Sequence, residues 1–272
     1  MTASELNEAA VQAALASDWL GRTYHYVESI GSTNDRLKEW LAGGRLLPEG
    51  TVLLADYQSA GRGRLDRRWE APPRTSLLFS VLLRPGWPPE QGSRLTMLAS
   101  VAVAEAIEAV AGVEVRLKWP NDIMVEHDMR WRKAGGLLND ATIDADGTLA
   151  TAIMGIGLNV NIPADYLPAG VTLPTSLWVA RGQPVARLPL LVACLGRLEH
   201  HYDEARRGHS PWPAWNTRLL TLGRPVTVTG IGSGESIIGL AEASDETGRL
   251  IVRDESGQRH AVTAGDVTLR QD

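Results

Sequence analysis

The sequence predicts an α+β fold, a mixed β-sheet with helices, followed by an all-β tail. Three observations carry this. Apolar residues switch repeatedly between helical and strand spacing over the first two hundred or so positions. The pattern breaks at His209–Thr217, where Pro211, Trp212, Pro213 and Trp215 crowd together. Beyond the break only short β runs remain, separated by turn residues. The domains expected are therefore residues 1–217 and residues 218–272.

In chain order, Glu5–Ala16 is an amphipathic helix and Thr23–Ile30 a strand. Ser32-Thr33-Asn34-Asp35 has helix-start chemistry, with Leu37, Trp40 and Leu41 on one apolar face and Gly43-Gly44 as the stop. Thr51–Tyr57 is β-rich, and Ser76–Leu83 is a buried strand ended by Pro85. The longest helical pattern lies between Pro88-Pro89 and Gly112. Strands follow at Val113–Lys118, Ile123–Glu126, Gly136–Ile143 and Leu149–Val160, the last two joined by the turn Asp144–Gly147. Leu188–Arg207 is helical again. The tail offers Val226–Thr229, Ser236–Ala243, Leu250–Arg253 and His260–Thr263, enough for a small barrel leaning on the main domain.

Composition narrows the function. With 44% hydrophobic and 22% charged residues in 272, the chain is ordinary globular material. A net charge of -5 argues against a protein that coats nucleic acid. One cysteine, Cys194, excludes a disulfide framework and a CxxC zinc site. No apolar run reaches the roughly 20 residues of a membrane span, so a cytoplasmic protein is expected. Of 27 basic residues only Lys38, Lys118 and Lys133 are lysine.

Chemistry concentrates in a few segments. Gln58–Trp69 interleaves Arg62, Arg64, Arg67 and Arg68 with Gly61 and Gly63. Guanidinium forks suit phosphate and carboxylate oxygens, and glycines admit close backbone approach. Lys118-Trp119-Pro120-Asn121-Asp122 offers a cation, an aromatic face, an amide and a carboxylate at a turn. Lys133 enters a strand beside Gly135 and Gly136. Gly155 and Gly157 alternate in a β run, leaving bare positions on one face before Asn159. Ser32-Thr33-Asn34 by itself reads as a helix N-cap. The pair His200-His201 has no third ligand in view, and the serine-hydrolase elbow and HExxH are absent.

In this order, the segments resemble the biotin protein ligases. The resemblance implies a catalytic domain similar to class II aminoacyl-tRNA synthetases and a C-terminal SH3-like β-barrel. It implies two steps: biotin and MgATP give biotinyl-5′-AMP, and a lysine of the biotin carboxyl carrier protein of acetyl-CoA carboxylase then accepts the biotin. On that resemblance Lys133 bridges the biotin carboxylate and the α-phosphate. Arg62, Arg64 and Arg67 hold phosphate and order the loop over the intermediate. Ser32, Thr33, Asn34 and Gln58 serve biotin, with Gly61, Gly135, Gly136, Gly155 and Gly157 giving room. Trp69, Lys118, Trp119, Asn121, Asp122 and Asn159 face the adenylate, and Asp122 is the candidate Mg²⁺ ligand. Two departures stand out: Asp66 replaces a glycine usual in the loop, and Asp140 a usual glutamate. Family members that repress transcription carry an added N-terminal domain; the 22 residues before Thr23 lead to the expectation of no DNA partner. A homodimer would agree with the family. The competing readings are a lipoate- or octanoyl-transferring ligase and a non-catalytic anion- or nucleic-acid-binding module with an SH3-like tail.

Overall fold

The computed structural model describes residues 4–167, 172–231 and 235–269. Among these residues the α-helices are α1 (Glu8–Ala14), α2 (Thr33–Ala42), α3 (Ser93–Ala111), α4 (Leu177–Arg181), α5 (Arg187–Arg206) and α6 (Trp212–Asn216). The first seven strands are β1 (Tyr24–Val27), β2 (Val52–Ala55), β3 (Ser76–Leu83), β4 (Val115–Lys118), β5 (Asp122–His127), β6 (Arg130–Ile143) and β7 (Leu149–Asn159). They form one sheet in the order β1-β2-β3-β7-β6-β5-β4. Only β1 and β2 run parallel; the other neighbours are antiparallel, so the sheet is mixed as expected.

Alternation along β3 explains how this sheet is clothed. Leu77, Phe79, Val81 and Leu83 join the main core with α3 and α5, whereas Leu82 joins Leu37 of α2 on the opposite face. Ser80 sits between Leu78 and Leu82 on that second face, fully buried. β3 is buried at all eight positions, which is why it reads as a continuous apolar run. α3 ends where Gly112, the expected bound of the helix, adopts φ +66°, a left-handed stop.

Some boundaries differ. β6 begins at Arg130, six residues before the expected start, because Asp128 and Met129 (φ 52° and 56°) make a tight turn after β5. α4 and α6 are one-turn helices too short to show a period. The tail forms a five-stranded antiparallel sheet of β8 (Pro225–Ile231), β9 (Glu235–Ser244), β10 (Leu250–Asp254), β11 (Arg259–Val262) and β12 (Asp266–Leu269), in the order β11-β10-β9-β8-β12. β12 was not anticipated from the sequence.

The tail shares the main apolar core, to which Val226, Val228, Leu250 and Val252 belong, and polar contacts add to this. Trp119 Nε1 donates to the Gly248 carbonyl at 2.9 Å, and Ser93 Oγ to the Thr247 carbonyl at 2.6 Å. No helix among the described residues is long and apolar enough to cross a membrane.

Candidate active site

A cleft opens on the α2 face of the sheet. Ser32, Thr33 and Asn34 reach it from the start of α2, where the Ser32 hydroxyl caps the helix by accepting from the Asp35 amide. The Gln58 side-chain oxygen Oε1 accepts from the Thr33 amide at 2.7 Å and from its hydroxyl at 3.1 Å. Gly136, Gly155 and Gly157 form the floor. That floor is not bare. A side chain at Gly157 would lie 2.7 Å from the Trp69 indole, and one at Gly155 would lie 2.4 Å from Asn34 Oδ1. The glycines make room first for the protein's own tryptophan and asparagine.

The arginine segment is a small self-paired hairpin. Trp69 N–H donates to the Gly61 carbonyl and Gly63 N–H to the Arg67 carbonyl, with Leu65 and Asp66 at the tip in the left-handed region (φ 53° and 56°). The turn is therefore made by non-glycine residues. Gly61 instead permits the close approach of the Trp69 carbonyl, 2.4 Å from where its Cβ would stand. Clustered like charge is also largely compensated. Arg62 binds Asp35 at 2.6 Å and Asp140 at 3.2 Å, Arg67 clasps Asp266 of β12, and Arg68 lies 4.0 Å from Glu70. Arg64 has no carboxylate partner among the described residues; it donates weakly to Asn121 Oδ1 at 3.4 Å. Burial lowers the Arg64 pKa, with Asp266 and Asp122 acting against that shift.

Lys133 closes one end. Its ammonium lies 2.6 Å from Asp122 Oδ1 and 5.7 Å from the centre of the Trp69 ring. Lys118, buried behind it, is 3.8 Å from Asp122 Oδ2 and donates to the Thr172 hydroxyl at 2.9 Å. Burial pulls the Lys118 pKa down, and Asp122 and then Asp266 oppose this. One oxygen of Asp122 is thus taken by Lys133, and the other lies nearer Lys118. Among the described residues no three His, Cys, Asp or Glu side chains cluster as a metal site.

Five residues expected at the site do not line the cleft. Trp119 is 1% exposed and packs into the main core, its N–H spent on Gly248. Asn159 is buried and donates to the Thr175 carbonyl at 3.0 Å. Lys118 stands behind Asp122, and Gly61 serves the hairpin. Gly135 follows the strand's alternation away from Gly136, so its missing side chain spares Leu158, 2.5 Å from the Cβ position. The structure brings together Ser32, Thr33, Asn34, Gln58, Arg62, Arg64, Arg67, Trp69, Asn121, Asp122, Lys133, Gly136, Gly155 and Gly157.

Other contributors escaped sequence reasoning. Asp266 enters the cleft wall from the tail. Lys38 of α2 binds Asp140 at 2.6 Å. Asp140 also accepts from Asn34 Nδ2 at 3.0 Å. Burial alone would raise the Asp140 pKa, but the hydrogen bonds from Lys38 and Asn34 and the charge of Arg62 bring it below the ordinary carboxylate value. The amphipathic spacing of α2 carried no signal for Lys38, because its partner is 102 residues away.

Sheet and cleft together define a ligase of the biotin/lipoate type. Residues 26–159 match the Biotin/lipoate A/B protein ligase family, and residues 221–270 match the Biotin protein ligase C terminal domain. The bifunctional ligase/repressor BirA of Bacillus spizizenii is 32% identical over 271 residues, covering 97% of this chain and 79% of that protein. The biotin–[acetyl-CoA-carboxylase] ligase of Mycobacterium tuberculosis is 33% identical over 259 residues, covering 92% of this chain and 90% of that one. Among solved structures, the Aquifex aeolicus biotin protein ligase in complex with biotin and ATP superposes with a TM-score of 0.74 at 28% identity, covering 92% of this chain and all of that one. The chain belongs to the biotin protein ligase family and is an enzyme of that class.

Proposed function

We propose that this enzyme joins biotin to the α-phosphate of MgATP, releasing pyrophosphate, and passes the biotinyl group to a lysine of the biotin carboxyl carrier protein of acetyl-CoA carboxylase. The observation that carries this reading is that one cleft holds both the Lys133 ammonium and the Arg64 guanidinium, which has no carboxylate partner among the described residues. Biotin's carboxylate and the α-phosphate repel each other; two cations facing the same space offset that repulsion and stabilise the charge that develops in transfer. Asp122 holds the Lys133 ammonium in place until a substrate oxygen takes over. Thr33 and Gln58 bind the ureido ring, and the Trp69 indole walls the chain leading to the carboxylate. In the second step the acceptor amine attacks the acyl carbonyl, and AMP leaves.

Magnesium belongs to this scheme as the nucleotide's counter-ion, with Asp122 as its candidate ligand once Lys133 has turned to the substrate. The reading is of ligation without repression, in the cytoplasm, with the free edge of β1 as the surface for a homodimer. Net charge -5 supports the absence of a DNA partner.

The test is calorimetry with biotin and lipoate, then transfer of labelled biotin to a carrier domain. Biotin is expected to bind and to be transferred. Lys133→Ala is expected to slow adenylation by on the order of 10²–10³, the cost of losing one preorganised charge contact. Lys133→Arg should not restore it, because a planar fork cannot replace a compact ammonium between two anions. Transfer that is indifferent to Lys133→Ala would sink the assignment.

A further inference from the structure

We propose that Lys118, buried behind Asp122, sets the position of Lys133 from two sides instead of binding nucleotide itself. One hold runs through the Asp122 carboxylate, the other through the chain segment 172–175. The inference rests on the biotin reading of the cleft, in which Lys133 stands between two anions.

Lys133 occupies a weak place in the sheet. Met124 lies opposite Lys133 and Ile123 opposite Gly135, so Ala134 is bulged out between them. On the other side β7 pairs only as far as Gly135, opposite Leu158. Beyond that point segment 172–175 takes over the backbone of Lys133. The Lys133 N–H donates to the Leu173 carbonyl at 2.9 Å, and the Thr175 N–H donates to the Lys133 carbonyl at 2.8 Å. This strap is short and is fastened at both ends. At the far end Asn159 Nδ2 donates to the Thr175 carbonyl at 3.0 Å, and Ser176 caps α4. At the near end the Lys118 ammonium donates to the Thr172 hydroxyl at 2.9 Å, the one hydrogen bond to Thr172 among the described residues.

The Lys133 side chain is held by the same lysine at one remove. Asp122 Oδ1 is 2.6 Å from the Lys133 ammonium, and Asp122 Oδ2 is 3.8 Å from that of Lys118. A fixed cation behind the carboxylate keeps Oδ1 turned to the cleft. Lys118 is only 6% exposed, and its nearest carboxylate lies beyond hydrogen-bond distance. For stability alone, an apolar side chain serves such a position at least as well. What the cation holds explains it: the strap beside the Lys133 backbone and the carboxylate against its ammonium. Lys118 and Thr172 are thus positioning residues that act through Lys133.

The experiment measures adenylation kinetics, melting temperature and amide hydrogen exchange in the full-length wild type, Lys118→Met, Thr172→Val and Thr172→Ser. Lys118→Met is expected to lower kcat about 10²-fold, the scale of a misplaced reacting group, with the KM for ATP within about twofold of wild type. Its melting temperature should hold or rise, because a buried charge is gone. Thr172→Val, which removes the hydroxyl, should lower kcat about tenfold, and Thr172→Ser, which keeps it, should restore the wild-type rate. Adding Thr172→Val to Lys118→Met should cost nothing further, since both break one contact. In each of these losses the amides of Lys133 and Thr175 should exchange faster while those of β3 do not. A raised KM for ATP with kcat unchanged in Lys118→Met would mean that this lysine binds nucleotide, which overturns the proposal. Unchanged exchange at Lys133 in Thr172→Val overturns it equally, and that variant keeps the buried charge should Lys118→Met fail to fold. A wild type that adenylates no biotin overturns the functional reading instead, so the two failures are distinguishable.

Discussion

Gly135 and Gly136 are neighbours in β6 with opposite duties, and a single methyl group separates them. At Gly135 a Cβ would stand 2.5 Å from Leu158 and 3.0 Å from the Gly157 carbonyl, inside a close-packed core. Gly135→Ala is therefore expected to cost about 1–3 kcal/mol of stability, the usual range for overpacking. Thermal melting should register that loss, with biotin affinity little changed in the protein that remains folded. At Gly157 the methyl would meet the Trp69 indole at 2.7 Å, so Gly157→Ala should displace the cleft wall and weaken biotin binding in calorimetry more than it lowers the melting temperature. The sequence announces both glycines as places of close approach but not what approaches them. Adjacent strand residues turn their Cβ positions to opposite sides, and at Gly135 that position is taken up by Leu158 rather than left to the cleft. The same logic applies to Trp119, which the Lys-Trp-Pro-Asn-Asp motif presents as a ligand face and the fold uses as a core anchor. Its environment includes Gly248, 129 residues away, which no local pattern encodes.

Among the elements, the strands and helices buried on a full face were legible: β3 has its predicted bounds, and α3 its predicted stop. β12 was not legible, because four residues with alternating burial carry little pattern and the pairing with β8 supplies the rest. That short strand matters, since Asp266 at its start clasps Arg67 and thereby fastens the arginine hairpin to the tail. The hairpin tip has its own strain, with Leu65 and Asp66 both at positive φ. Asp66→Gly should relieve it by up to about 1 kcal/mol, since glycine adopts this conformation freely. A melting temperature that falls in Asp66→Gly would contradict that account. Asp266→Ala should have a different signature. With Arg67 released, trypsin cleavage at Arg64 and Arg67 should accelerate in the ligand-free enzyme, and saturating biotin with ATP should restore protection. Cleavage that is equally fast in wild type and variant would show that the clasp does not restrain the hairpin.

Two carboxylates join distant parts of the whole molecule across the cleft, and both titrate below their ordinary value. Asp140 links β6 to α2 and to the hairpin. Asp266 links the tail to the hairpin; burial would raise its pKa, but the hydrogen bond and charge of Arg67 more than offset this. A carboxylate depressed in the folded state contributes stability above its unfolded pKa, about 3.9 for aspartate. That contribution fades as pH falls from there through the depressed value. Both sites are part-exposed, with partners 39–51% exposed, so each contributes no more than about 1 kcal/mol after solvent screening. The melting temperature of the wild type should hence drop as pH falls below about 4 more steeply than that of Asp140→Asn or Asp266→Asn. Those variants start lower at neutral pH, because they have already lost what acid removes. High salt should shrink the difference further, as it does for exposed ion pairs. The sharper consequence concerns the cleft. Protonating Asp140 removes the fixed acceptor that orders Asn34, while protonating Asp266 frees Arg67, so acid should weaken biotin binding before the sheet itself unfolds. Calorimetry against pH, run beside thermal melts, separates the two: binding that persists unchanged down to the unfolding transition would mean that neither carboxylate governs the site.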